Sequence, residues 1–161
     1  ILLGSFPPAA FTDPVYVSAA IATSVVIFIF AYLNEETFSR AMDKLKSAIN
    51  IFDAIGLGVF AVSGTEVALS YGFSENAFLS VFVGILTGVG GGVLRDLMVC
   101  EIPSVLRKKI YAVAAAAGSV SYYLILKAGA LGTIAMLCGI GLTIAVRILA
   151  SHFEWALPRI K

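Results

Sequence analysis

Five long apolar segments decide what this chain can be. They cover residues 15–33, 51–71, 77–100, 110–126 and 130–150, and are designated A to E in chain order. A bilayer span takes roughly 20 apolar residues at about 1.5 Å of rise each, and all five reach or approach that length. The longest connection is the polar stretch NEETFSRAMDKLKSAIN after segment A, which reads as a helical extension. Transmembrane barrel strands are about half as long and alternate in polarity, so a β-barrel does not fit. A soluble bundle needs polar helix faces, which these segments lack. The expectation is an all-α integral membrane protein, a single transmembrane domain over residues 1–161 with five transmembrane helices.

Composition agrees. Apolar residues make up 60% of the 161 and charged residues 13%, against about 25% charged in soluble domains. A disordered tail, a nucleic-acid module and a soluble enzyme are all disfavoured. Cys100 and Cys138 lie in or beside apolar stretches and read as buried free thiols. There is no cluster with metal-ligand spacing and no nucleophile–base–acid set, and the one histidine, His152, falls outside the segments. No cofactor, no metal and no enzymatic activity are expected.

Lysine and arginine set the orientation. Arg40, Lys44 and Lys46 follow segment A; Arg107, Lys108 and Lys109 join C to D; Arg159 and Lys161 close the chain. These three regions share one side and hold eight basic residues, while the other side holds only Lys127. The C-terminus is expected in the cytoplasm, in a cell inner (plasma) membrane. Tyr122, Tyr123 and Trp155 read as interfacial aromatic residues. The cluster Arg107, Lys108, Lys109 reads as topology-setting, with contact to anionic lipid headgroups as its sharper meaning.

LLGSFPPAAFTDPVY near the N-terminus echoes MVCEIPSVLRKKIY at 98–111, and each copy precedes a long apolar segment. One copy is basic and the other carries no Lys or Arg, as expected for copies on opposite membrane faces. A repeat with an odd number of helices inverts its second copy. B, C and D (51–127) then form the second repeat, residues 1–33 are a remnant of the first, and E (130–150) is an extra final helix. The whole protein is expected to have seven spans, with two preceding Ile1. Inverted repeats recur in membrane transport proteins, with permeation near the midplane where the repeats meet.

Chemistry concentrates around Gly88, Gly90, Gly91 and Gly92 in segment C. Each glycine within a helix costs about 1 kcal/mol relative to alanine, and irregular backbone at membrane depth survives only against protein or a watery cavity. One reading is a broken helix lining a pathway. The other is close helix packing, since Gly84, Gly88 and Gly92 form a GxxxGxxxG ridge. Ionisable residues inside spans mark function by default; here they are Asp53, Glu66, Arg95, Asp96 and Arg147. Arg147 is expected to snorkel to the cytoplasmic interface. Arg95 and Asp96 point about 100° apart on a helix, so each is expected to need its own partner, such as Asp53 or Arg147 across the bundle.

FDAIGLGVFAVSGTEVAL, LTGVGGGVLRDLMVCEIPSVLRKKIYA and RILASHFEWALPR together resemble the prokaryotic TRIC family, relatives of trimeric intracellular cation channels that are also described as glycine transporters. The resemblance implies seven helices in all, an inverted three-helix repeat plus one, assembled as a homotrimer with one pore per protomer. It implies passage of potassium ions through a membrane of lipids, with no nucleic-acid partner, beside a helix kinked at Gly90, Gly91 and Gly92, with Arg95 as a pore or gating residue. Two positions depart from the family pattern: Val67, where relatives often carry Lys, and Cys100, where Gly or Asn is usual. A secondary transporter of a small zwitterion such as glycine is the alternative.

Overall fold

The computed structural model describes residues 14–107 and 110–153, and every regular element among them is a helix. The helices are α1 (Pro14–Leu33), α2 (Glu35–Ser70), α3 (Ala77–Met98), α4 (Ser104–Arg107), α5 (Tyr111–Lys127) and α6 (Gly132–His152). Among the described residues, three stretches are long and apolar enough to cross a bilayer: Ala48–Ser70, Ala77–Met98 and Gly132–Ser151. The apolar part of α1, Val17–Leu33, and the helix α5 each have 17 residues, or roughly 25 Å, at the lower bound for a span. The polar stretch after segment A is helical and continuous with segment B.

By internal packing the chain divides into two compact units, residues 1–50 and 51–161. In the first, the Ser18 and Thr23 hydroxyls donate to the carbonyls of Val15 and Ala19 at 3.0 and 2.7 Å. Both are thereby satisfied within the apolar helix α1, which needs no polar partner for them.

The second unit holds the C-terminal part of α2 and the helices α3 to α6. There α5 packs against α3 and α6. Its core is made of small residues: Ala54, Ala61, Ala68, Ala114, Ala115 and Ala135 are buried, with Leu57, Val62 and Tyr122 as the larger pieces. In a bilayer, lipid tails are as apolar as leucine, so helices associate through close backbone approach and hydrogen bonds. Both devices meet at the Ala61 carbonyl, which accepts from Thr65 Oγ1 at 2.9 Å and from Ser119 Oγ at 3.2 Å.

Helix ends follow local chemistry. Asn76 caps α3 through its side chain, accepting from the Leu79 amide at 3.0 Å. At the C-terminus of α2, the Gly72 and Phe73 amides return to the Leu69 and Ala68 carbonyls at 3.0 and 3.2 Å. Gly72 stands at φ +89, the left-handed turn of a Schellman cap that glycine takes without strain. At the end of α3 the same position is held by Cys100 at φ +56.

Two expectations fail. Cys100 and Cys138 are both exposed on the protein; Cys138 lies on an outward face of α6. Tyr122 and Tyr123 turn inward and are buried, with the Tyr123 hydroxyl donating to the Ser74 carbonyl at 2.8 Å. Trp155 and the echo loop at 2–13 lie outside the described residues.

Candidate functional site

Two helix faces meet at the site. From α2 come Asp53, Gly56, Leu57 and Phe60; from α3 come Gly88, Gly91, Gly92 and Arg95. Each set has the spacing i, i+3, i+4, i+7, which on an α-helix is one stripe. With Tyr111 of α5, the stripes line a cavity of about 140 Å³. Glycines at three positions on α3 and one on α2 leave bare backbone as much of its wall. One end carries the opposed charges Asp53 and Arg95; the other is apolar at Phe60.

The glycines of α3 divide by face. A side chain at Gly84 would collide with the Thr65 hydroxyl, and one at Gly88 would meet Ala61 Cβ and the Leu57 carbonyl oxygen at 3.1 Å. These two let α3 lie close against α2. Among the described residues, Gly90 and Gly91 have nothing within 4 Å of a hypothetical Cβ, and Gly92 has the Tyr111 hydroxyl at 3.0 Å. The helix is continuous from Ala77 to Met98. The glycines do not divide it into two separate helices; their ridge positions are used for packing and their other positions are open.

Charge gathers at the end of the cavity. Asp53 receives donors from three helices: Arg95 Nη1 lies 3.5 Å from Oδ1, the Tyr111 hydroxyl 3.4 Å from Oδ1, and Arg147 Nη2 3.5 Å from Oδ2. Arg95 is held more closely by its neighbour, its Nε and Nη2 each lying 3.0 Å from Asp96 Oδ1. Asp53, expected as a partner across the bundle, is thus reached by Arg95, and the pairing of Arg95 with its own neighbour Asp96 is the unexpected part. The 100° between their Cβ directions constrains short side chains, but the long arginine stem bends back to Asp96 and still reaches Asp53. Asp96 itself is buried.

Arg147 also departs from expectation. It does not snorkel: it is 5% exposed, and its guanidinium lies over the Tyr111 ring at 4.7 Å from the centroid, a cation–π seat. Removing an arginine from water costs several kcal/mol, so a buried one stays only with partners, here Asp53 and Tyr111. The sequence carries a signal for this. Gly139, Thr143 and Arg147 recur every four residues on α6, and a side chain at Gly118 of α5 would collide with Thr143 while one at Gly139 would meet the Gly118 carbonyl oxygen at 2.9 Å. The stripe that carries Arg147 is thus the face that meets α5. Gly56 and Phe60 join the site without having been expected there, though they follow Asp53 at helical spacing. Glu66 is exposed and apart from the cavity, about 20 Å from Asp53 along the helix at 1.5 Å per residue. Lys108 and Lys109 lie outside the described residues, as does the side chain of Arg107.

At the far end of this unit, a second cavity of about 220 Å³ is lined by Leu69, Ser74, Tyr123, Leu126 and Lys127. There Lys127 Nζ binds Glu75 Oε1 at 2.7 Å.

Comparison with known proteins gives the relationship. Residues 50–127 match the family model described as glycine transporter. YvgT of Bacillus subtilis, a UPF0126 membrane protein, is 32% identical over 159 residues, which are 98% of this chain and 72% of YvgT. A structure solved to explain conductance through TRIC cation channels superimposes with a TM-score of 0.84 at 36% identity, over 99% of this chain and 74% of the other. The chain belongs to the TRIC family. A UPF0126 membrane protein of Vibrio cholerae is 38% identical over 67% of this TRIC-family chain and 44% of its own length. The chain spans about half the length of the first of its curated relatives. Membership makes the apolar helices of this TRIC-family chain the spans of a multi-pass integral membrane protein.

Proposed function

We propose that the chain forms part of a monovalent cation channel, with potassium as the conducted ion, and that the slot between α2 and α3 is its permeation path. The observation that carries this reading is the cavity itself: bare glycine backbone on α3, one carboxylate, Asp53, on the facing wall, and a half-exposed arginine bridging them. The site residues proposed for conduction are Gly88, Gly91, Gly92, Arg95 and Asp53, with Asp96 anchoring Arg95. The likeness to a TRIC cation channel structure at 36% identity supports it. Within the same reading the protein acts as a homotrimer with one pore per protomer, in an inner (plasma) membrane with its C-terminus cytoplasmic, as the eight-to-one distribution of Lys and Arg favours. Arg107, Lys108 and Lys109 would then face cytoplasmic lipid headgroups. No enzymatic step is part of this function.

Arg95 is the movable part. Its contact with Asp53 is long at 3.5 Å, its anchor on Asp96 is 3.0 Å, and its side chain is 54% exposed. Swinging it away on its Asp96 anchor leaves Asp53, still paired with Arg147, facing an open slot.

A second reading has its own observation. A carboxylate and a guanidinium 3.5 Å apart at a cavity of about 140 Å³ also present the two charges that a small zwitterion such as glycine would match. Full-length protein in liposomes separates the two. The channel predicts electrogenic potassium flux that does not saturate at low millimolar concentration. Saturable glycine uptake without potassium current would overturn it.

A further inference from the structure

Asp53 is contested by two arginines of different character. Arg95 reaches it across the slot, half exposed and tethered to Asp96. Arg147 reaches it from behind, on α6, buried at 5% and seated on Tyr111, and it is not among the residues that line the cavity. Arg147 Nε has no hydrogen-bond partner among the described residues. An incompletely satisfied buried guanidinium is a poor way to hold helices together, since well-packed apolar residues in the place of a buried ion pair are often as stabilising. Its cost points to a use.

We propose that Arg147, held on the Tyr111 ring, is a positioning residue: a fixed counter-charge that keeps Asp53 against the α2 wall and competes with Arg95 for it, so that the Arg95 bridge across the slot can open. The inference rests on the slot being the permeation path. Two donors share one carboxylate at equal distances of 3.5 Å. Take away the rear donor and Arg95 becomes the only basic partner of Asp53 in the cluster; the bridge tightens and the slot stays closed. Take away Arg95 instead and Asp53 remains placed by Arg147 and the Tyr111 hydroxyl.

The test is epistasis in full-length protein reconstituted in liposomes. Arg147→Gln is expected to lower potassium flux about tenfold, within the range of remote coupling mutations, and Arg147→Lys to restore part of it. In an Arg95→Gln background, which has no bridge, Arg147→Gln is expected to change flux little. A merely structural role would lower flux equally in both backgrounds, and that result overturns the proposal. A flux-independent measurement accompanies it: thermal melting in detergent of Asp53→Asn, Arg147→Gln and the double variant. Coupled residues predict that the double variant melts no lower than the worse single one, whereas additive losses overturn the pairing even if a single variant folds poorly. Wild-type protein that passes no cation removes the channel reading and the opening role with it, while the melting cycle still judges the pairing. Wild-type flux with an unchanged Arg147→Gln variant removes only the role of Arg147.

Discussion

The Thr65 hydroxyl occupies the space that a Cβ on Gly84 would need. It is held there by its bond to the Ala61 carbonyl at 2.9 Å. The same hypothetical Cβ would stand 2.6 Å from that carbonyl oxygen and 2.7 Å from Ser119 Oγ. Three helices, α2, α3 and α5, therefore converge on a point one methyl group wide.

Gly84→Ala is expected to destabilise the bundle by about 3 kcal/mol, the upper part of the range for overpacking a dense core, because the obstructing carbonyl oxygen is backbone and cannot turn aside. Thermal melting of the detergent-solubilised protein measures it. A melting temperature equal to wild type would mean that α3 does not lie this close to α2.

Gly91, two turns further along the same helix, should behave in the opposite way. None of the described residues lies within 4 Å of its Cβ position, so Gly91→Ala is expected to hold or raise stability by up to about 1 kcal/mol through helix propensity. Gly91→Leu should fold equally well but fill the slot, and liposome flux should fall to background. Normal flux in that variant would take Gly91 out of the permeation path.

These glycines mark what can be read from the chain itself. The five spans are legible within a few residues, because a run of some twenty apolar side chains suits a bilayer and little else. That Gly84 and Gly88 pack while Gly91 stays open is only half legible: the GxxxGxxxG spacing names the packing ridge, but the open side depends on where α2 lies. Arg147 misleads because an arginine near a span end has two outcomes, snorkelling or burial, and only the face it shares with Gly139 and Thr143 decides between them. The Arg95–Asp96 pair escapes a reading by helical angle, which describes Cβ directions and not the reach of a long side chain. Glu66 illustrates the reverse: its charge within a span is plain, but it lies apart from the cavity.

Cys100 offers a stabilising change. The Cys100 and Glu101 amides return to the Leu97 and Asp96 carbonyls at 3.1 and 2.9 Å, the same cap as at Gly72, but with a side chain at φ +56. A left-handed residue with a Cβ costs about 1 kcal/mol or more, part of which glycine returns to unfolded-chain entropy. Cys100→Gly is expected to raise stability by roughly 0.5–1 kcal/mol by the same reckoning, read as a higher melting temperature. A lower one would mean that the thiol makes a contact of greater value.

Glu75 should make a small, pH-dependent contribution. The hydrogen bond from Lys127, and then its charge, hold the Glu75 carboxyl below its ordinary value. A carboxyl lowered in the folded state stabilises above its unfolded pKa, and that stability disappears as pH falls through the folded value. Glu75→Gln is therefore expected to melt slightly below wild type at neutral pH and equally with it in strong acid. A difference that persists in acid would assign the effect to packing instead of charge.

Where α3 faces the cavity with Gly88, Gly91 and Gly92, the wall has no rotamers. Side-chain flips, which take picoseconds to nanoseconds, can act only from the facing walls, at Leu57, Phe60 and Tyr111; the glycine strip itself shifts only with its helix, and such collective motions belong to microseconds and longer. A cavity bounded this way separates two clocks: a fast one in its side chains, Arg95 at the charged end among them, and a slow one along the glycine strip, where nothing moves unless the backbone does.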